Sequence, residues 1–350
     1  MRISSLEVIP YALPLREPYV TAAGRLRSRE MALLRLRSEE GIVGLGEAVP
    51  LSLRGGVGLE RVVAELEALG RSDSLDEERL QDETLALSRP ARCAALTALL
   101  DLRGRRAADR DDSGSPAGPV LCNATLSAGD PVAVAAEAER WADDGFESFK
   151  LKLGVGDDVG QVRAVRQTLG AAARIRVDAN GAWDVETARE RLAELEAFDV
   201  ELVEQPVASL EELATLAESS PIPIAADESI ENRSDAARAV AMGACALTGV
   251  KLSKVGGPEE AIEIAELIPT YLTSALDGPV GIAAAAQVAA TLAGPESGGS
   301  SLAHGLATQR LFADSVAAVE CELRDGYLHI ARGPGLGVEI DEDALEAHRL

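Results

Sequence analysis

FESFKLKLG (146–154), RIRVDANGAW (174–183), DVELVEQP (199–206), IPIAADES (222–229) and ALTGVKLSKVGG (246–257) share one form. Each carries a short apolar run that ends in a charged side chain, and a helix-compatible stretch follows. Short apolar runs alternating with helices are βα units, and their alternation implies a parallel sheet. The pattern extends both ways. Upstream, Val120 to Leu126 reads as a strand, and Asp130 caps a helix with Pro131 in its first turn and Gly145 at its close. Between the quoted segments, helices are expected over Val159 to Leu169, from Asp184 to Leu195, from the capping box of Ser209 and Glu212 to Ala217, and from Ser234 to about Gly243. Downstream follow a helix from Pro258 to Leu267, a strand from Thr270 to Ala275, a helix from Ile282 to Leu292 and a last strand from Ser300 to His304. About eight units favour a closed, modified TIM-type (β/α) barrel within the α/β class over an open doubly wound sheet. No glycine-rich phosphate loop follows any strand, so a nucleotide fold has no support.

Outward from the barrel, the chain divides into three expected parts. Residues 1–119 form an α+β capping domain. Its strands run from Ile3 to Leu13, Glu30 to Arg37 and Ile42 to Glu47, and its helices from Leu59 to Leu69 and Ala91 to Gly104. The stretch Asp109 to Pro119, rich in Asp, Ser, Gly and Pro, marks the boundary. Residues 120–315 form the metal-binding barrel. Residues 316–350, with hairpin signals at Asp325-Gly326, pack back on the capping domain and complete it.

Composition narrows the function. The formal net charge is −24, with the acids spread along the chain. That argues against nucleic acid or an anionic membrane as partner and reads as the solvated acidic surface of proteins that work in high salt. No apolar stretch reaches the roughly 18 residues of a membrane helix. The N-terminus has no apolar leader pattern, so a secretory signal is not expected. Cys93, Cys122, Cys245 and Cys321 are scattered singly, which suits a reducing cytoplasm. Of 34 basic residues only four are lysines: Lys150, Lys152, Lys251 and Lys254. An arginine serves on a surface, but only a lysine can lose its proton.

Barrel enzymes place their chemistry at the C-terminal ends of the strands. The polar residues there are Lys152, Asp178, Glu204, Asp227 and Lys251, spaced 26, 26, 23 and 24 residues apart, one βα unit each. Asp178, Glu204 and Asp227 therefore converge from neighbouring strands and would repel strongly unless a cation joined them. An all-oxygen donor set with no His or Cys nearby points to a hard divalent metal, Mg2+ first and Mn2+ next. Lys152 and Lys251, four strands apart, stand on opposite sides of that point. Lys150 shares the Lys152 face of its strand, two residues away. Lys254 reads as a loop or helix-start lysine.

The segments KLKLG, RVDANGAW, VEQP, ADES and GVKLSKVGG resemble the enolase superfamily, in its muconate lactonizing subgroup, over nearly the whole chain. EPYVTAAGRLRSRE (17–30) and GIVGLGEAVPL (41–51) look like that family's capping domain and its mobile loop. The resemblance implies that Asp178, Glu204 and Asp227 bind Mg2+. The metal would hold a substrate carboxylate and stabilise the enediolate formed when the adjacent carbon loses its proton. Lys152 and Lys251 would be the acid/base pair, with Lys150 and Asn180 toward substrate or ligands. A lowered Lys152 pKa is expected from the second ammonium and the dication. TSALDGPVGIAAA (273–285) and AHGLATQRLF (303–312) look most like the o-succinylbenzoate synthases of menaquinone biosynthesis, with Ser274 and Gly281 lining a pocket for the succinyl part. N-succinylamino acid racemases share nearly the same residues, and epimerases and cycloisomerases use the same scaffold. No C-terminal Asp-x-Asp motif of the kind dipeptide epimerases use is seen, and no His lies between Val120 and Leu302 to act as a base. The implied partner is a small carboxylate, with homo-oligomerisation left open.

Overall fold

The apolar runs near the N-terminus pair as one long antiparallel hairpin, β1 (Arg2–Thr21) with β2 (Gly24–Ser38), in a computed structural model that describes residues 1–22, 24–50, 56–71, 75–108, 118–292 and 302–350. β3 (Val43–Ala48) extends the sheet along β2, α1 (Leu59–Leu69) follows, and β4 (Leu75–Asp76) pairs with the start of β1. α2 (Glu77–Thr84) and α3 (Arg89–Ala108) complete the unit. Pleating sends alternate side chains to opposite faces. Ala32, Leu34 and Leu36 pack with the helices, whereas Met31 and Leu33 join the barrel's core. β2 is buried on both faces, which explains its unbroken Met31–Leu34 run. α3 lies directly on β3 because Gly44 and Gly46 carry no Cβ there: one at Gly46 would stand 1.9 Å from the Ala94 carbonyl oxygen.

Next come β5 (Val120–Leu121), β6 (Ala124–Leu126), α4 (Pro131–Asp143), β7 (Ser148–Lys152), α5 (Asp158–Leu169), β8 (Arg174–Asp178), α6 (Val185–Leu195), β9 (Val200–Glu204), α7 (Leu210–Ala217), β10 (Ile224–Ala226), α8 (Arg233–Met242), β11 (Leu247–Val250), α9 (Leu252–Val255), α10 (Pro258–Ala265), β12 (Thr270–Leu272) and α11 (Pro279–Leu292). The strands from β6 to β12 form one parallel sheet in sequence order. The eighth position is an extended segment around His304. Parallel bridges Cys122↔His304 and Thr273↔Gly305 close the ring. The expected eight units are thus seven regular strands and a short closing piece. Gly305 allows the closure, since a Cβ there would lie 2.7 Å from Thr273 Oγ1. Asp130, Asp184 and the Ser209/Glu212 box cap their helices as expected.

The tail holds β13 (Ala317–Val319), β14 (Glu322–Arg324), β15 (Tyr327–His329), β16 (Glu339–Ile340) and α12 (Glu342–Ala347). Asp325 and Gly326, with φ of 52° and 74°, form the two-residue β14–β15 turn. The end of the tail lies along β1, where Ala12 N donates to His348 O at 2.9 Å. β15 also pairs with β5. That second contact splits the strand expected over Val120 to Leu126, because β5 gives its backbone groups to the tail and only β6 joins the barrel. A further expectation is corrected. α8 is capped by the Asn232 side chain, which accepts from Asp235 N, not by Ser234. Within the segment 17–30, residues 17–21 and 24–30 are strand, with Tyr19↔Leu26 and Val20↔Arg25 as cross-strand pairs. The expected boundary at 109–117 and the start of the last strand at 300–301 lie outside the described residues. Among the described residues, no helix is long and apolar enough to cross a membrane.

Candidate active site

The parallel ladder sets the site's register. Lys152 aligns with Asp178, and Asp178 with Glu204, across β7, β8 and β9. Asp227 and Lys251 stand one residue beyond β10 and β11. Gln205 ties two of these strand ends together: its side-chain Oε1 accepts from Asp227 N at 2.9 Å, and its own N–H donates to Ala225 O at 2.8 Å. Asp178, Glu204 and Asp227 are wholly buried, and each places a carboxylate oxygen within 4.8 Å of the others. This all-oxygen set fits a hard divalent cation, as expected from the strand-end spacing.

Every lysine of the chain reaches these carboxylates. Lys150 Nζ lies 2.5 Å from Glu204 Oε1 and 2.9 Å from Asp178 Oδ2. Lys152 Nζ donates to Asp178 Oδ2 at 2.5 Å and to Asn180 Oδ1 at 3.2 Å. Lys251 Nζ pairs with Asp227 Oδ2, and Lys254 Nζ with Asp227 Oδ1 at 2.7 Å. Asn180 also donates through its side chain to Asp178 Oδ1 at 2.6 Å. Lys254 is therefore no surface lysine. It lies one helical turn after Lys251 on α9, a spacing of three that returns it to the same face, and that spacing was its signal in the sequence. Tyr271, whose hydroxyl donates to Glu204 Oε2, carried no sequence signal.

Burial lowers the Lys152 ammonium to about 8, with the Lys150 charge adding to that and Asp178 opposing it. The expected direction is present, but burial outweighs the second ammonium. Burial also lowers Lys254. Lys150 goes the other way, because Asp178 and Glu204 together outweigh its burial. Two neighbouring lysines are thus set apart, one easily deprotonated and one held charged.

Ser274 and Gly281 belong to a different network. Ser274 Oγ donates to Asp277 Oδ2 at 2.6 Å, and Gly281 N donates to Glu47 Oε2 at 3.4 Å in the first turn of α11. Over the barrel mouth, Val20 O of the β1–β2 hairpin accepts from Ala128 N at 3.2 Å, and the Ala22 methyl lies beside Gly154. The tail carries the letters Asp341-Glu342-Asp343. Asp341 caps α12, and Glu342 pairs with Arg35 at 2.7 Å.

Residues 3–109 match the family described as mandelate racemase / muconate lactonizing enzyme, N-terminal domain, and residues 133–344 match enolase C-terminal domain-like. The chain belongs to the enolase superfamily. Within it, muconate cycloisomerase 1 of Pseudomonas putida is 30% identical over 97% of this chain and 96% of its own. The o-succinylbenzoate synthase of Thermobifida fusca is 40% identical over 200 residues, 55% of this chain and 60% of its own. A dipeptide epimerase from Cytophaga hutchinsonii, solved with Mg and the dipeptide D-Ala-L-Val, superimposes with a TM-score of 0.90 at 26% identity, covering 99% of this chain and 98% of that one. The chain is an enolase-superfamily enzyme on this barrel scaffold whose Asp178, Glu204 and Asp227 could hold a metal ion, and the relatives named here are a cycloisomerase, a synthase and a dipeptide epimerase.

Proposed function

We propose that the chain removes a proton from the carbon beside a carboxylate and dehydrates a cyclohexadiene carboxylate to o-succinylbenzoate, a step of menaquinone biosynthesis. The observation that carries the proton chemistry is the approach of Lys152 and Lys251 to one carboxylate cluster from strands four apart. Dehydration is supported by the 40% identity to the Thermobifida fusca synthase and by the segments 273–285 and 303–312.

Asp178, Glu204 and Asp227 would hold Mg2+, which when bound supplies the positive charge that acidifies the carbon next to a substrate carboxylate. Neutral Lys152 takes the α-proton, its amine oriented by Asn180 Oδ1. The same group, now an ammonium, returns the proton to the leaving hydroxyl. A C–H and a C–O bond break, a C=C bond forms and water departs. Lys251 contributes charge from the other side of the site. Lys150 stays protonated and ties Asp178 to Glu204. The loop after β12 and the start of α11, carrying Ser274 and Gly281, would face the succinyl part. Neither nucleic acid nor a membrane has a role.

A second reading, racemisation, epimerisation or cycloisomerisation, is favoured by one feature: Lys152 and Lys251 are each paired to their own carboxylate, as a two-base reaction would need. Purified protein with Mg2+ should form the aromatic product from the cyclohexadiene precursor. Rapid racemisation of an N-succinylamino acid in D2O, with no dehydration, would transfer the assignment to the second reading.

A further inference from the structure

Glu204 is held from two sides, and only one of them belongs to the lysine cluster. Its Oε1 faces Lys150 Nζ at 2.5 Å. Its Oε2 accepts the hydroxyl of Tyr271, a wholly buried residue of β12, three strands away in the sheet. Tyr271 reaches that far because the strand between it and β10 makes room. A Cβ at Gly249 of β11 would stand 3.1 Å from Tyr271 Cζ and 3.1 Å from its hydroxyl oxygen. The ring is also held by the buried guanidinium of Arg176, 5.4 Å from its centroid. Arg176 is itself fixed, with Nη1 donating to Ala303 O at 2.6 Å and Nε to Glu201 Oε2 at 2.5 Å. β8, β11 and β12 thus build a slot that fits a phenol and aims its hydroxyl at one carboxylate oxygen.

We infer that Tyr271 is a positioning residue for the metal site: its hydroxyl, on the side of Glu204 opposite Lys150, fixes the orientation of the carboxylate that would take the cation. This rests on Glu204 being a metal ligand and is independent of which reaction follows. A carboxylate with a free torsion must be ordered each time a cation binds, whereas one already held by a hydrogen bond needs no such ordering. Outer-shell partners of this kind change metal affinity by about 10- to 100-fold. Tyr271→Phe keeps the ring in its slot and removes only the hydroxyl.

The test is Mg2+ titration calorimetry on the full chain, comparing the parent, Tyr271→Phe, Gly249→Ala and Glu204→Gln, with circular dichroism to establish folding. Tyr271→Phe should weaken Mg2+ binding by about 10-fold or more while staying folded. Its activity should recover at saturating Mg2+, so that the Mg2+ requirement moves more than kcat. A merely structural tyrosine would lower Tm and leave the Mg2+ affinity alone. Should Tyr271→Phe fail to fold, Gly249→Ala, which keeps the hydroxyl but crowds the ring, carries the same expectation. Parental affinity in the folded variant, with binding lost in Glu204→Gln, overturns the role of Tyr271 and leaves the ligand assignment standing. Absence of Mg2+ binding in the parent removes both.

Discussion

Lys150, Lys152, Lys251 and Lys254 all meet the same three carboxylates, in a chain whose other 30 basic residues are arginines. Arginine stays protonated at any working pH, and its larger fork would place the charge differently. The four positions are therefore chemical choices, and they respond differently to replacement. In the dehydration reading one amine takes and returns the proton, so Lys152→Arg loses essentially all turnover. Lys251→Arg keeps the charge, somewhat misplaced, and retains a measurable remainder. Equal loss in both variants, with deuterium exchange at the α-carbon abolished in each, would contradict that division of labour. Ligand substitution is a second case at this scale. Asp178→Asn or Glu204→Gln should abolish Mg2+ binding and activity while circular dichroism still shows the barrel. Full activity of either variant after chelator treatment with only trace metal restored would refute the ligand set. The strand-end carboxylates could be found from their spacing of one βα unit, because parallel register converts equal spacing into equal height. Tyr271 could not, because its partner lies 67 residues away and nothing local marks it.

At the scale of elements, the joint between the capping sheet and the barrel is a buried carboxylate. Glu47 of β3 accepts from Gly278 N at 2.5 Å and Val280 N at 3.2 Å, capping α11 from another part of the chain. Burial raises its pKa to about 7, with the Asp277 carboxylate adding to the rise and the helix amides opposing it. Tyr11 of β1, Arg29 of β2 and Cys93 of α3 stand close enough to share this field. A carboxyl whose folded pKa is raised binds more protons in the native state than in the unfolded one between its ordinary value of 4.5 and about 7, so folding loses stability as pH rises through that window. Glu47→Gln does not titrate. The stability difference between parent and variant should therefore move against the parent from about pH 5 to about pH 7.5, because other groups cancel in the comparison. Tm measured for both proteins across that range decides it, and a constant difference would show that Glu47 keeps its ordinary pKa. Caps such as Asp130 and Asp184 were legible because a cap and its helix are neighbours in sequence. The cap at α11 was not, since its carboxylate arrives from 231 residues away.

For the whole molecule, charge is the dominant sequence property. The excess of 24 acids leaves most of the surface repelling itself. Exposed pairs such as Arg238 with Glu211 and Arg191 with Glu194 offset little of this, because solvent screens them. Salt screens both the pairs and the repulsion, and the uncompensated acids outnumber the pairs in effect. The Debye length falls to about 3 Å at 1 M, so Tm should climb between about 0.1 and about 2 M KCl. A flat or falling Tm over that range would remove the high-salt reading.

The sequence by itself determined the barrel, the capped helices around it and the height at which three carboxylates meet. All of these follow from local periodicity, neighbouring caps and the regular advance of one βα unit along the ring. Tertiary structure alone decided that β5 leaves the barrel for the tail hairpin, that Glu47 caps a distant helix, and that Tyr271 reaches Glu204 through the space left by Gly249. Each of these depends on which buried polar group finds its partner once distant segments are packed together. A buried donor or acceptor must be satisfied from whatever lies beside it in space, and that neighbour is chosen by the closed ring, not by position along the chain.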